Sequence, residues 1–101
     1  MVIVRAYSIP AAERFPDGCF DIIHLDANHM DVENDIVAWW PKVKRGGWLT
    51  GHDYTFVPGK IAVKPTVNAW VSREGLALLV AGLQSDDVYE RNYPTWIVRK
   101  P

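Results

Sequence analysis

Two short apolar runs, Phe20 to Leu25 and Trp48 to Thr50, bracket a helix-patterned segment, and each run gives way to ionisable side chains. The first run ends on Asp26, with His29 three residues later; the second passes through Gly51 into His52 and Asp53. Short apolar strands of one direction, joined by a helix, form a βαβ unit with parallel pairing. Sheets of that kind bind ligands beyond the carboxyl ends of their strands. The pattern therefore fixes an α/β class and points to Asp26, His29, His52 and Asp53 as the candidate site.

The rest of the chain fits around this unit. Val2 to Ala6 is a β-branched run that predicts a strand. Ser8 can cap a short helix over Pro10 to Arg14, which stops before Pro16 and the Asp17-Gly18 turn. Phe20 to Leu25 is apolar nearly throughout, as in a strand covered on both faces. Asp31 can cap the next helix, whose buried stripe is Val32, Ile36, Trp39 and Val43. Pro41 breaks that helix at Trp40 and leaves a final turn to Lys44. Gly46-Gly47 is expected to be a tight turn into the strand at Trp48.

Thr55 to Ile61 is expected to be a loop. A helix then runs from Lys64-Pro65 to about Arg73, with Val67, Trp70 and Val71 inward and Gly75 as its stop. Leu76 to Ala81 predicts a strand and Gln84 to Asn92 a polar loop. Pro94 to Arg99 predicts a final strand with Trp96 and Val98 on one face and Ile97 on the other. With no helix expected between them, the last two strands should be antiparallel neighbours. The five tryptophans fall at positions expected to face the core.

Composition narrows the function. At 101 residues the chain is expected to be one small domain, 1–101, or part of a larger one. Eleven basic against twelve acidic residues leave no field for nucleic acid or a polybasic membrane contact. No apolar run approaches membrane-spanning length, and the start lacks the apolar run of a signal peptide. Cys19 is the only cysteine, so no internal disulfide forms, and a reducing, cytoplasmic compartment fits. Cys19 also has no evident base near it in sequence, which argues against a catalytic nucleophile.

From Phe20 to Tyr54 the chain resembles the second half of class I S-adenosylmethionine (SAM)-dependent methyltransferases. The likeness is to the branch with an FD-apolar-apolar-apolar-D-x-x-H strand and a GG-x-x-x-GHDY strand. It extends through Val63, Val67 and Trp70 to the terminal TWIVRKP. The resemblance implies an incomplete Rossmann-like sheet, mostly parallel with an antiparallel C-terminal strand and helices packed on it. Val2 to Ala6 would be the third strand of that fold, and the two runs above the fourth and fifth. No G-x-G-x-x-G or similar loop occurs in the sequence, and Gly46-Gly47 is not its counterpart. The family's cofactor loop would lie upstream of the third strand.

The resemblance also implies roles for single residues. Tyr7 and Ser8 stand where the family touches the cofactor base, and Asp26 would join them in cofactor binding. Asp26, His52 and Asp53 stand where metal-dependent members hold a divalent cation that lowers a hydroxyl pKa. Oxygen ligands suit Mg²⁺, and an imidazole moves the choice toward Mn²⁺ or Zn²⁺. His29 would be the general base taking the acceptor's proton. Each has a plainer alternative: Ser8 as an N-cap, Asp26 as a turn cap, His29 as a helix-start contact, and His52-Asp53 as a polar loop mouth. His24, facing away from Ile23 and Leu25, is expected to be a packed, hydrogen-bonded histidine rather than a ligand.

Two functions follow. One is methyl transfer to a small-molecule acceptor, complete only with an N-terminal half. The other is a non-catalytic oligomeric α/β module that binds a metal, a small ligand or a protein. In the complete family fold the first strand lies beside the counterpart of Phe20 to Leu25. Without it, that strand would be an exposed apolar edge, a template for pairing. Either Val2 to Ala6 fills the place within the chain, or two chains pair. The expectation is a homodimer with Val2 to Leu25 heavily represented in its interface.

Overall fold

The computed structural model describes the backbone at residues 3–6, 9–25 and 32–101, and side chains at 11–25 and 32–101. The strands are β1 (Ile3–Ala6), β2 (Phe20–Leu25), β3 (Val43–Gly51), β4 (Leu78–Ala81) and β5 (Thr95–Arg99). The helices are α1 (Ile9–Ala12), α2 (Val32–Trp39), α3 (Val63–Glu74) and α4 (Val88–Asn92). One sheet runs in the order β1-β2-β3-β5-β4. β1 with β2, and β2 with β3, are parallel; β5 is antiparallel to both its neighbours. This is the mixed, mostly parallel α/β sheet that the sequence predicts.

One core lies on one face of the sheet. Ile23, Leu25, Leu49, Trp96 and Val98 point into it from the strands. Ala12, Val32, Ile36, Trp39, Val63, Val67, Trp70 and Val71 close it from the helices. α3 stops where expected, at Gly75, whose φ of 68° is the left-handed conformation that glycine adopts without a Cβ penalty.

Several expectations are corrected. Pro41 has no N–H for the next α-helical bond, so the chain tightens into one 3-10 turn at Trp40–Lys42. It leaves that turn directly in extended geometry, with Val43 at φ −73° and ψ 130°. Val43 is therefore not the last residue of a helical stripe but the first of β3, fully buried and paired with Phe20. Gly46-Gly47 is not a turn before the strand but a bulge inside it. Between two successive pairings with β2, Phe20↔Val43 and Ile22↔Trp48, β3 carries the surplus residues. Gly46 takes a φ of 82°, and a Cβ on Gly47 would meet the carbonyl oxygen of Asp21. The bulge is held from the other side: Gly46 N–H donates to Lys100 O, and Lys100 N–H donates to Gly47 O.

The predicted loop at Gln84 to Asn92 contains α4. Asp87 accepts hydrogen bonds from the N–H groups of Tyr89 and Glu90, as an N-cap does. β4 and β5 remain antiparallel neighbours despite this helix. Trp39, Trp70 and Trp96 are core, as expected, and Trp40 packs against its edge. Trp48 is not: it lies half-buried on the opposite face of the sheet, with the Arg99 guanidinium 6.0 Å from its ring centre. β2 is likewise covered on one face only, because Ile23 and Leu25 are buried while Ile22 and His24 are half-exposed. Nor is it an edge strand, since β1 lies beside it.

Candidate functional site

The parallel pairing of β2 with β3 sets their carboxyl ends side by side, with Leu25 opposite Gly51. His52 and Asp53 follow at once, so the rim position expected for them is observed. Asp26 and His29 follow β2 in sequence, and Tyr7 and Ser8 follow β1; all four lie outside the described residues. Among the described residues no group of three or more His, Cys, Asp or Glu side chains forms a metal-holding cluster.

Gly51 is required where it stands. A Cβ there would come within 2.5 Å of the indole Nε1 of Trp96, its partner on β5. The close approach lets Trp96 lie buried beneath the rim. Just beyond, the Tyr54 N–H donates to Pro94 O at 2.8 Å and ties the rim to the start of β5. Between these anchors Asp53 takes a φ of 58°, the only positive φ outside glycine among the described residues. Aspartate tolerates that region better than most residues, and such strain persists only where the surroundings hold it.

Asp53 is only 4% exposed, so its carboxylate needs polar partners. His52 Nδ1 lies 2.9 Å from Asp53 Oδ2. The Tyr89 hydroxyl donates to Asp53 Oδ1 over 3.4 Å, reaching in from α4. The neighbouring Asp53 charge raises the Tyr89 pKa above its ordinary value, with partial desolvation and that hydrogen bond acting in the same direction. The phenol thus stays protonated and donates. Donation from His52 Nδ1 to Asp53 places the ring's acceptor character on Nε2. The ring, one-third exposed, stacks on His24 with centroids 5.6 Å apart and planes 22° apart. His24 Nδ1 and Thr50 Oγ1 share a 2.7 Å hydrogen bond, so His24 is the bonded histidine that its strand position predicts.

The result is an imidazole at the rim formed by the carboxyl ends of β2 and β3, oriented by a buried carboxylate, with a phenol on that carboxylate's other oxygen. This arrangement can hydrogen-bond a polar ligand and receive a proton from it. Tyr89 has no place in the sequence reading, because 84–92 reads as loop. The signal was Asp87 followed three residues later by Glu90, a pairing that marks a helix start.

A family model described as a methyltransferase domain matches residues 1–54, from β1 to the residue after Asp53. The chain belongs to that methyltransferase-domain family. The matched range ends at Tyr54 and so includes the rim with His52 and Asp53. Solved structures share the fold. A protein from Corynebacterium glutamicum is 15% identical, with a TM-score of 0.65 over 91% of this chain and 44% of its own. An O-methyltransferase from Bacillus cereus, in complex with SAH, is 13% identical, with a TM-score of 0.63 over 91% of this chain and 46% of its own. An O-methyltransferase from Streptomyces achromogenes involved in tomaymycin synthesis, in complex with SAM, is 14% identical. Its TM-score is 0.63, over 92% of this chain and 45% of its own. The methyltransferase-domain chain spans less than half the length of each of these structures. No curated protein matches it.

Proposed function

We propose that this methyltransferase-domain chain serves SAM-dependent methyl transfer to a hydroxyl or amine of a small-molecule acceptor, together with an N-terminal half that carries the glycine-rich cofactor loop. The observation that carries the reading is the overlap of the family match with the rim holding His52 and Asp53. When bound, SAM supplies a methyl group on a sulfonium. Tyr7, Ser8 and Asp26 are the residues assigned to hold it, and His29 is the base assigned to take the acceptor's proton. Asp53 orients His52, which hydrogen-bonds the acceptor beside them. The cytoplasm, a reducing compartment, suits a chain with one cysteine.

The divalent cation that the resemblance implies would be held by Asp26 beside His52 and Asp53, and Asp26 lies outside the described residues. Within the described set, Asp53 has one oxygen on His52 and the other on Tyr89, and no further acidic or imidazole ligand completes a site. No step is routed through a metal.

A second reading is a non-catalytic α/β module that binds a small ligand or a protein partner. Titration calorimetry with SAM and with its demethylated product separates the two. Saturable binding that weakens on Asp26→Ala supports the methyltransferase reading. Absence of binding by the chain, both alone and supplemented with a polypeptide carrying the glycine-rich half, leaves the module.

A further inference from the structure

The loop that leaves the rim walls a hollow against α3. The hollow is lined by Phe56, from that loop, and by Lys64, Pro65 and Asn68, from the first two turns of α3. Its volume, about 380 Å³, stands at the small end of the range for small-molecule sites, about 300–1,000 Å³. None of the four belongs to the sheet, so the hollow is separate from the sheet face that the core leaves uncovered. The chain enters it directly from the site, where Thr55 N–H donates to Asp53 O at 2.7 Å. Its walls are held by their own backbone. Val57 and Ile61 exchange N–H···O bonds of 2.7 and 2.8 Å around Pro58-Gly59, and Lys64 N–H donates to Thr55 O at 3.1 Å. Walls already in place spare a ligand the cost of ordering them.

The lining selects by shape and by charge. Phe56 is 56% exposed, an aromatic ring offered at the wall of a concave site. Tyr54 packs on the edge of the core and holds the Lys64 ammonium 5.7 Å from its ring centre. The Tyr54 hydroxyl donates to Asn68 Oδ1, so the amide's remaining donor is its NH2 end. No acidic side chain lines the hollow. From Tyr54 to Arg73 the sequence has Lys60, Lys64 and Arg73 but no aspartate or glutamate. An ammonium and an amide donor beside an exposed ring complement a planar ligand that carries a carboxylate.

We infer that this hollow is the acceptor subsite and that it takes a small aromatic carboxylate bearing a hydroxyl or amine. The ring lies against Phe56, and the carboxylate accepts from Lys64 Nζ and the Asn68 NH2 group. Lys64 sets the preference for an anion, and Phe56 the preference for a ring. The ligand's part as acceptor rests on the methyltransferase reading; its binding rests on the hollow alone.

Heteronuclear NMR of the full chain, without cofactor, tests this. The probes are 4-hydroxybenzoate, the neutral 4-hydroxybenzyl alcohol and the cationic tyramine. Each is titrated to about 20 mM, since a one-ring ligand binds in the millimolar range. Saturable shifts are expected at Phe56, Lys64 and the Asn68 side-chain amide. 4-Hydroxybenzoate should bind about fivefold tighter than the alcohol, the size of one exposed charge contact, and tyramine most weakly. Lys64→Gln should bring 4-hydroxybenzoate to the alcohol's affinity and leave the alcohol unchanged, while Phe56→Ala should weaken both. Both positions are exposed, so the variants keep the fold and dispersed spectra. No shift at these residues by the end of the titration overturns the inference. So does an alcohol or tyramine that binds as tightly as 4-hydroxybenzoate, or an anion preference that survives Lys64→Gln. The SAM calorimetry above separates the two readings. SAM binding without 4-hydroxybenzoate binding removes the subsite alone, and the reverse removes methyl transfer alone.

Discussion

At the scale of single residues, Asp53 concentrates the physics of the site. It is a buried charge in a left-handed conformation, held by an imidazole and a phenol. An asparagine at this position would tolerate the same backbone and keep two hydrogen-bonding atoms, whereas a β-branched side chain suits neither the backbone nor the partners. Asp53→Asn is therefore expected to fold with little loss of stability but to weaken the hold on His52 Nδ1, read as a changed imidazole nitrogen shift by NMR. Asp53→Val should lose about 1–3 kcal/mol in urea denaturation. A stability equal to wild type for Asp53→Val would remove the strain argument.

Tyr89 supplies the pH dependence. Its pKa is raised in the folded state, chiefly by the charge on Asp53. A group of that kind adds stability that is present in full below its unfolded pKa, about 10, and is lost as pH rises through the higher folded value. The melting temperature should therefore fall more steeply above about pH 10 in wild type than in Tyr89→Phe, with the two curves parallel near neutrality. Parallel curves throughout the alkaline range would mean that Tyr89 and Asp53 do not interact in solution.

At the scale of elements, β3 is the strand on which the site depends. Its bulge at Gly46-Gly47 is clasped by Lys100, and its far end, Gly51, gives up a side chain so that Trp96 can fit. Trp96 is packed among core residues and cannot swing away without opening a cavity. Gly51→Ala should thus displace the rim by a few tenths of an ångström or more and destabilise the fold by about 1–3 kcal/mol. Near-UV circular dichroism should report the disturbed indole. An unchanged spectrum and midpoint would show that the rim can yield. α2 and α3 were legible because helical stripes are a local property: Val32, Ile36 and Trp39, and Val67, Trp70 and Val71, repeat at the helical period. The end of α2 was legible only in part. Pro41 announces the break, but whether Val43 then joins a helix or a strand depends on Phe20, its partner from a distant part of the chain.

At the scale of the whole molecule, the residue types and their order were enough for much of the result. Strand alternation and helical period are set by backbone geometry, so the α/β class, the parallel pairing of β2 with β3 and the location of His52 and Asp53 at a strand-end rim could all be read in advance. What the tertiary structure decided rests on contacts between positions far apart in the chain. Tyr89 meets Asp53 across 36 residues, and nothing local to either predicts it. Trp48 has the character of a core residue, yet its face of the sheet is the open one. β1 lies beside β2 although the resemblance assigns it a more distant place. A sequence specifies which face of each strand is apolar; whether that face is buried depends on how many layers the assembled molecule brings to the sheet.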